Sequence, residues 1–292
     1  MSEQVLIREV GPRDGFQNEP EVIATGDKVR LIDMLARTGL RRLEVTSFVR
    51  PDVIPQLADG AEVLTRFEPR DGVAYSVLIP NRKGLENALK LRDRFQEANF
   101  FLSASETHNR KNVNRTIAES LADLEGTISA ARDAGLRCEG VISTSFGCPY
   151  EGEVPSERVF EIAKQLKGFG CEEIAFGDTT GMANPRQVGE FFAAARERLG
   201  GAELTAHFHN TRGQGLANVL AALEQLPEGQ VTVGFEVCVK HVAGAVEGAK
   251  CEARATLKEV VDDRKLRFEV EVTEGDRTIG VGTHERRVIN PG

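Results

Sequence analysis

Along the first 226 residues, short apolar stretches alternate with amphipathic ones at a spacing of about 30–40 residues. The apolar stretches predict strands at Val5–Val10, Arg42–Ser47, Val73–Ile79, Asn99–Ser103, Glu139–Thr144, Glu173–Phe176 and Leu204–His209. The segments between them read as helices. Ile117, Leu121, Leu124, Ile128 and Ala131 recur at helical period, with Gly135 where a left-handed terminal residue belongs. Asn184-Pro185 supplies a capping side chain followed by a proline at the first helical position, and Gly200 is expected to close that helix. Repeated β-then-α units imply right-handed crossovers and a parallel sheet. Seven in succession predict an α/β fold of the TIM type, a (β/α) barrel. No G-x-G-x-x-G follows a strand, so a dinucleotide-binding sheet has no support.

Beyond Leu226 the period becomes two. Cys251, Ala253, Ala255 and Leu257 fall on one face and Glu252, Arg254, Thr256 and Lys258 on the other. Leu266, Phe268, Val270 and Val272 repeat the alternation, with Arg267, Glu269 and Glu271 outside. Asp262-Asp263 and Glu274-Gly275-Asp276 are turn signals. The expectation is two domains: a barrel over 1–226 lacking its normal eighth unit, then a small antiparallel meander over 227–292. The boundary falls at Pro227-Glu228-Gly229.

Composition narrows the function classes. The 292 residues carry 37 Lys+Arg against 45 Asp+Glu, a formal charge of −8 without a basic block. That balance argues against nucleic acid or an anionic membrane as partner. No apolar run reaches the roughly 18 residues of a membrane span. The first residues lack the basic start of a signal peptide. The five cysteines, at 138, 148, 171, 238 and 251, form no C-x-x-C pair. They read as reduced thiols, and the expected location is cytoplasmic.

Catalytic groups of such a barrel come from the carboxyl ends of its strands. Arg13-Asp14 follows the first strand, and His207 and His209 end the seventh, two residues apart and so on one face. One carboxylate and two imidazoles can converge there on a divalent ion. Glu44 and Ser47 belong to the second strand, Asp178 follows the sixth, and Gln17 lies in the first loop. Each has a plainer reading: H-x-H as an ordinary strand end, Glu44 and Gln17 as members of a polar network around Arg13, Asp178 as a helix cap.

The segments Glu9-Val10-Gly11-Pro12-Arg13-Asp14-Gly15-Phe16-Gln17-Asn18-Glu19, Glu44-Val45-Thr46-Ser47-Phe48, Gly147-Cys148-Pro149-Tyr150-Glu151-Gly152, Gly177-Asp178-Thr179 and His207-Phe208-His209-Asn210-Thr211-Arg212-Gly213-Gln214 resemble the signatures of the hydroxymethylglutaryl-CoA (HMG-CoA) lyases, over residues 4 to 224. The resemblance implies a barrel that uses a divalent cation, Mg²⁺ or Mn²⁺, to cleave HMG-CoA or a related 3-hydroxyacyl-CoA to acetyl-CoA and acetoacetate. It makes Asp14, His207 and His209 metal ligands, Arg13 the catalytic arginine, and Glu44 and Asp178 supporting acids; Gln17 and Ser47, on the same rim, are expected substrate contacts. His207 or Asp178 would move the proton. The implied partner is a small acyl-CoA substrate, with a homo-oligomer expected.

Two departures accompany the match. The family's Gly-Gly-Cys-Pro-type loop and the asparagine ligand after it are not found, and Cys148-Pro149 belongs to another segment. Residues 231–289 instead resemble the second half of a hot-dog thioesterase similar to fluoroacetyl-CoA thioesterase, in Val239-Lys240-His241-Val242-Ala243 and Ile279-Gly280-Val281-Gly282-Thr283-His284-Glu285-Arg286. His241 matches that family's catalytic histidine, but its partner carboxylate, threonine and central helix have no counterpart, so His241 reads as a bystander. The alternative to a lyase is a thioesterase-related or inactive CoA-ester-binding fusion.

Overall fold

The computed structural model describes residues 6–225, 236–241, 251–261 and 265–287. They form two compact units: residues 4–182 with 194–209, and residues 183–193 with 210–292. The expected boundary at 227–229 lies outside the described residues, as do Val5, the 231–235 segment and the Asp262-Asp263 turn.

Seven parallel strands run in sequence order across one sheet: β1 (Arg8–Glu9), β2 (Arg42–Ser47), β3 (Ala74–Ile79), β4 (Glu97–Ser103), β5 (Arg137–Ser143), β6 (Glu173–Asp178) and β7 (Glu203–Phe208). Helices separate them: α1 (Thr25–Leu35), α2 (Gly60–Arg66), α3 (Arg82–Ala88), α4 (Glu106–Val113), α5 (Ile117–Asp133), α6 (Ser156–Phe169) and α7 (Pro185–Arg198). The first strand is far shorter than the expected Val5–Val10. Among the described residues it pairs only with β2, and after Val10 the chain enters a wide π-type turn, Gly11–Gly15. Strands β4 and β5 begin two residues earlier than hydrophobicity indicated, because Glu97 and Arg137 are strand residues. The α7 cap is as expected, Asn184 Oδ1 accepting from Gln187 N at 3.0 Å, but the left-handed turn after the helix falls at Gly201, not Gly200. Cys138, Cys148 and Cys171 are free and buried.

The sheet curls, and its ion pairs prove it. Arg8 on β1 bonds Glu139 on β5, and its Nη2 lies 3.1 Å from Glu173 on β6. In a flat sheet β1 and β5 would stand about 19 Å apart. Barrel interiors are usually filled by layers of branched apolar side chains. Here the amino-terminal end of the interior is ionic instead. Arg42 donates to Glu97 at 2.8 Å and to Glu173 at 2.6 Å, and Arg137 Nη2 lies 3.2 Å from Glu173. The apolar core lies outside the sheet, where Leu43, Val77, Phe100, Ile142 and Ile174 meet the helices.

In the other unit, helix α8 (Gly215–Leu223) precedes a four-stranded antiparallel sheet. Its strands are β8 (Glu236–His241), β9 (Cys251–Val261), β10 (Lys265–Glu274) and β11 (Arg277–Arg287), in the order β8-β11-β10-β9. The outward residues Glu252, Arg254, Thr256, Lys258, Glu269 and Glu271 are as the alternation predicted, and Gly275, at φ +59°, makes the tight β10–β11 turn. The eighth strand therefore pairs antiparallel with β11, in a sheet of its own among the described residues. Among the described residues β7 and β1 have no ladder between them. Amide exchange in a dilute sample should accordingly be fast on the free edge of Glu203–Phe208 and slow in β10 and β11. Strong protection throughout β1 and β7 would mean that another segment closes the barrel.

Candidate active site

The carboxyl ends of β1, β2, β6 and β7 carry the candidate groups. The π-type turn after β1 is held by Asp14 N to Val10 O at 2.7 Å and by Gly11 N donating to Glu9 Oε1 at 2.7 Å. Such wide turns recur at functional sites. Here the turn carries Arg13 and Asp14 inward. His207 lies inside β7 and His209 one residue past it, so both rings leave the same face. Asp14 Oδ2 stands 3.6 Å from His207 Nε2 and 3.5 Å from His209 Nε2, and the two Nε2 atoms are 3.2 Å apart. Three groups distant in sequence thus present one carboxylate oxygen and two imidazole nitrogens, all within 4.8 Å of one another.

Burial opposes ionisation of Asp14, but the contact with His207 and the charge of Arg13 outweigh it and hold its pKa down at about 2. Burial lowers the pKa of His209, helped by His207 and opposed by Asp14 and Asp178. An ionised carboxylate with a neutral imidazole is the protonation state that a divalent cation requires.

Arg13 braces the group. Its Nη1 donates to Asp14 Oδ1 at 2.8 Å and its Nη2 to Glu44 Oε2 at 2.9 Å. Glu44, third in β2, is buried, so the network reading of Glu44 holds; the pair also leaves chemistry unspent. Among the described residues, Arg13 Nε, Gln17 Oε1, Glu44 Oε1 and Ser47 Oγ are all buried with no hydrogen-bond partner. Unfilled buried groups cost about 1–3 kcal/mol each and persist where a ligand or water fills them. Asp178 is the last residue of β6, not beyond it, and its Oδ1 accepts from Met182 N at 2.7 Å. It caps the following turn. Cys148 is buried in the loop after β5, where Cys148 and Gly152 exchange backbone hydrogen bonds. His241 closes β8, opposite Gly280 of β11. The sequence reading missed the interior groups Ser76, Asn99 and Glu139, whose only signal was a polar residue at alternate positions of an otherwise apolar strand.

The mouth of this parallel barrel gathers one acid, two imidazoles and an arginine-bound glutamate, a donor set able to hold a divalent cation, and the fold and sequence define a family of enzymes. The HMGL-like family model matches residues 4–234, and the model for fluoroacetyl-CoA-specific thioesterase matches residues 215–291. The chain belongs to the HMGL-like family. It is 48% identical to the hydroxymethylglutaryl-CoA lyase YngG of Bacillus subtilis over 221 residues, 76% of this chain and 73% of that protein. A crystal structure of a Bacillus subtilis HMG-CoA lyase superposes with a TM-score of 0.74, covering 76% of this chain and 74% of that one. An HMG-CoA lyase from Acinetobacter baumannii, solved with coenzyme A and 3-methylmalate, is 41% identical with a TM-score of 0.72 over 75% of this chain and 71% of its own.

Proposed function

We propose that the chain is a divalent-metal-dependent C–C lyase that cleaves HMG-CoA, or a related 3-hydroxyacyl-CoA, to acetyl-CoA and acetoacetate. The observation that carries this reading is the convergence of Asp14, His207 and His209 beside the Arg13–Glu44 pair. The donor set, one carboxylate oxygen and two imidazole nitrogens, suits Mg²⁺ or Mn²⁺ with positions left for substrate oxygens. Asp14, His207 and His209 would hold the ion. When bound, it supplies Lewis acidity that lowers the pKa of a chelated alcohol.

The other steps belong to the protein. Arg13, its guanidinium fixed by Asp14 and Glu44, stabilises the enolate oxygen that appears as the C–C bond breaks. Gln17 and Ser47 orient the acyl group through their unfilled Oε1 and Oγ. His207 or Asp178 takes the alcohol proton, and Glu44 holds Arg13 in register with the reacting carbon. The two overlapping family matches support a change of domain near residue 226, with the C-terminal sheet a partial thioesterase-like module.

The test is purified protein with Mn²⁺ or Mg²⁺ and HMG-CoA, read for acetoacetate and separately for free thiol. Acetoacetate is expected; thiol alone would instead mean thioester hydrolysis. Turnover should be low, because the sequence lacks the family's loop cysteine and a lost proton donor costs about 10²–10⁴-fold. Turnover at the level of a full-length relative would show that another acid has taken that role.

A further inference from the structure

Beneath Arg13, two buried acceptors stand side by side with no donor among the described residues to satisfy either. Asn99 of β4 and Glu139 of β5 are register partners, so their side chains leave the same face one strand spacing apart. Both are buried. Glu139 Oε2 accepts from Arg8, while Oε1 has no partner. Asn99 Nδ2 donates to Ser76 Oγ at 3.4 Å, while Oδ1 has no partner. Ser76 directs its own hydroxyl to Leu43 O at 3.5 Å and so has no proton to offer Asn99. Ser76 is in turn the register partner of Glu44, whose Oε2 holds Arg13. The row Glu139–Asn99–Ser76–Glu44–Arg13 runs from the ionic end of the barrel to the candidate metal ligands. At the Glu139–Asn99 step it presents two unpartnered acceptors and no donor.

We propose that Glu139 is a neutral carboxylic acid in the native barrel, its Oε1 hydroxyl donating to Asn99 Oδ1, and that in this form it is a positioning residue for the Glu44–Arg13 pair. A protonated carboxyl is the only group of the row able to become a donor at that contact without reversing the Asn99 amide. The charged groups around it agree. Burial is the largest influence on Glu139; Arg8 from β1 opposes it, while Glu173 from β6 and Glu44 from β2 reinforce it, and the balance pushes its pKa up to about 8. Once ionised, Glu139 becomes a further anion within electrostatic reach of Arg13, in competition with Glu44 and Asp14 for the guanidinium. Its positioning role rests on the lyase reading; its protonation state does not.

The sign of the pH effect follows. The folded pKa of Glu139 lies above its ordinary 4.5. Its contribution to stability is complete below about pH 4.5 and is lost as pH rises through about 8. The Glu139→Gln variant should therefore show a smaller loss of stability than the wild type across that window.

The experiment uses the full chain. Infrared difference spectra at pH 6 should contain the C=O band of a buried carboxylic acid, lost in Glu139→Gln. The band should titrate with the same midpoint as the Arg13 guanidinium ¹⁵N signals, which are assigned by their loss in Arg13→Lys. In Glu139→Gln the Arg13 signals should no longer move. Should Glu139→Gln fail to fold, Asn99→Leu tests the same bond, because it removes the acceptor and should shift the acid band. Absence of an acid band in the wild type, or a band indifferent to both substitutions, overturns the neutral state; it means an ionised Glu139 facing a reversed Asn99 amide. A titrating band with stationary Arg13 signals overturns the positioning role. The shared midpoint should recur as the alkaline limb of turnover. A protein with the midpoint but no turnover would count against the lyase reading, and the positioning role with it, and leave the neutral state of Glu139 standing.

Discussion

Asp14→Ala and His209→Ala should each abolish measurable Mn²⁺ binding while leaving the circular dichroism spectrum and cooperative unfolding in place. Asp14 supplies the one carboxylate of the triad, and its ionisation is already secured by His207 and Arg13. Removing it leaves two imidazoles, too few donors for a hard cation that prefers oxygen. Both side chains lie at the rim, 18% and 30% exposed, so their truncation opens no core cavity. Calorimetric titration reads the result directly. Undiminished affinity in both variants would remove the triad from the metal site.

Arg13→Lys should lower turnover by about 10²–10³-fold with Mn²⁺ affinity retained. The arginine reaches Asp14 with one nitrogen and Glu44 with the other, and its Nε remains for a ligand. Lysine keeps the charge but cannot satisfy two carboxylates in fixed directions. Glu44, 2% exposed, would then be a buried anion with a poorly placed partner, and some loss of stability should accompany the loss of rate. Saturating kinetics alongside metal titration separates the two effects. Near-normal turnover would confine Arg13 to a structural role.

The candidate site was legible in the sequence because its residues sit where a period changes. Arg13-Asp14 follows a strand directly, and His207 and His209 share a face by simple alternation, so converging them required only the order of strands in a barrel. Strand β2, Arg42–Ser47, was read to the residue, because Leu43 and Val45 alternate with Arg42, Glu44 and Thr46. The ionic interior was not legible. Glu97 and Arg137 begin their strands, where a charge reads as the end of a loop. The partners Arg8 and Glu139 lie 131 residues apart, and nothing local announces that they meet. The antiparallel eighth strand was foreshadowed by the valine-rich alternation near residue 237, which fits a sheet exposed on one face better than a buried parallel strand.

A closed barrel fixes the stagger of its strands through the last ladder, because a ring of hydrogen bonds admits only certain offsets. Between β7 and β1 that ladder is lacking among the described residues. The single arginine of β1 supplies a substitute. Arg8 spans the interior to Glu139 and Glu173, tying the first strand to the fifth and sixth as a strut ties opposite walls. A one-residue slip of β1 would turn Arg8 toward the helices and leave both carboxylates without it. The strut is directional where an apolar layer is not, so it tolerates no sliding. The position of Asp14 opposite His207 and His209, six strands away along the sheet, thereby depends on a guanidinium at the other end of the barrel as well as on its own turn.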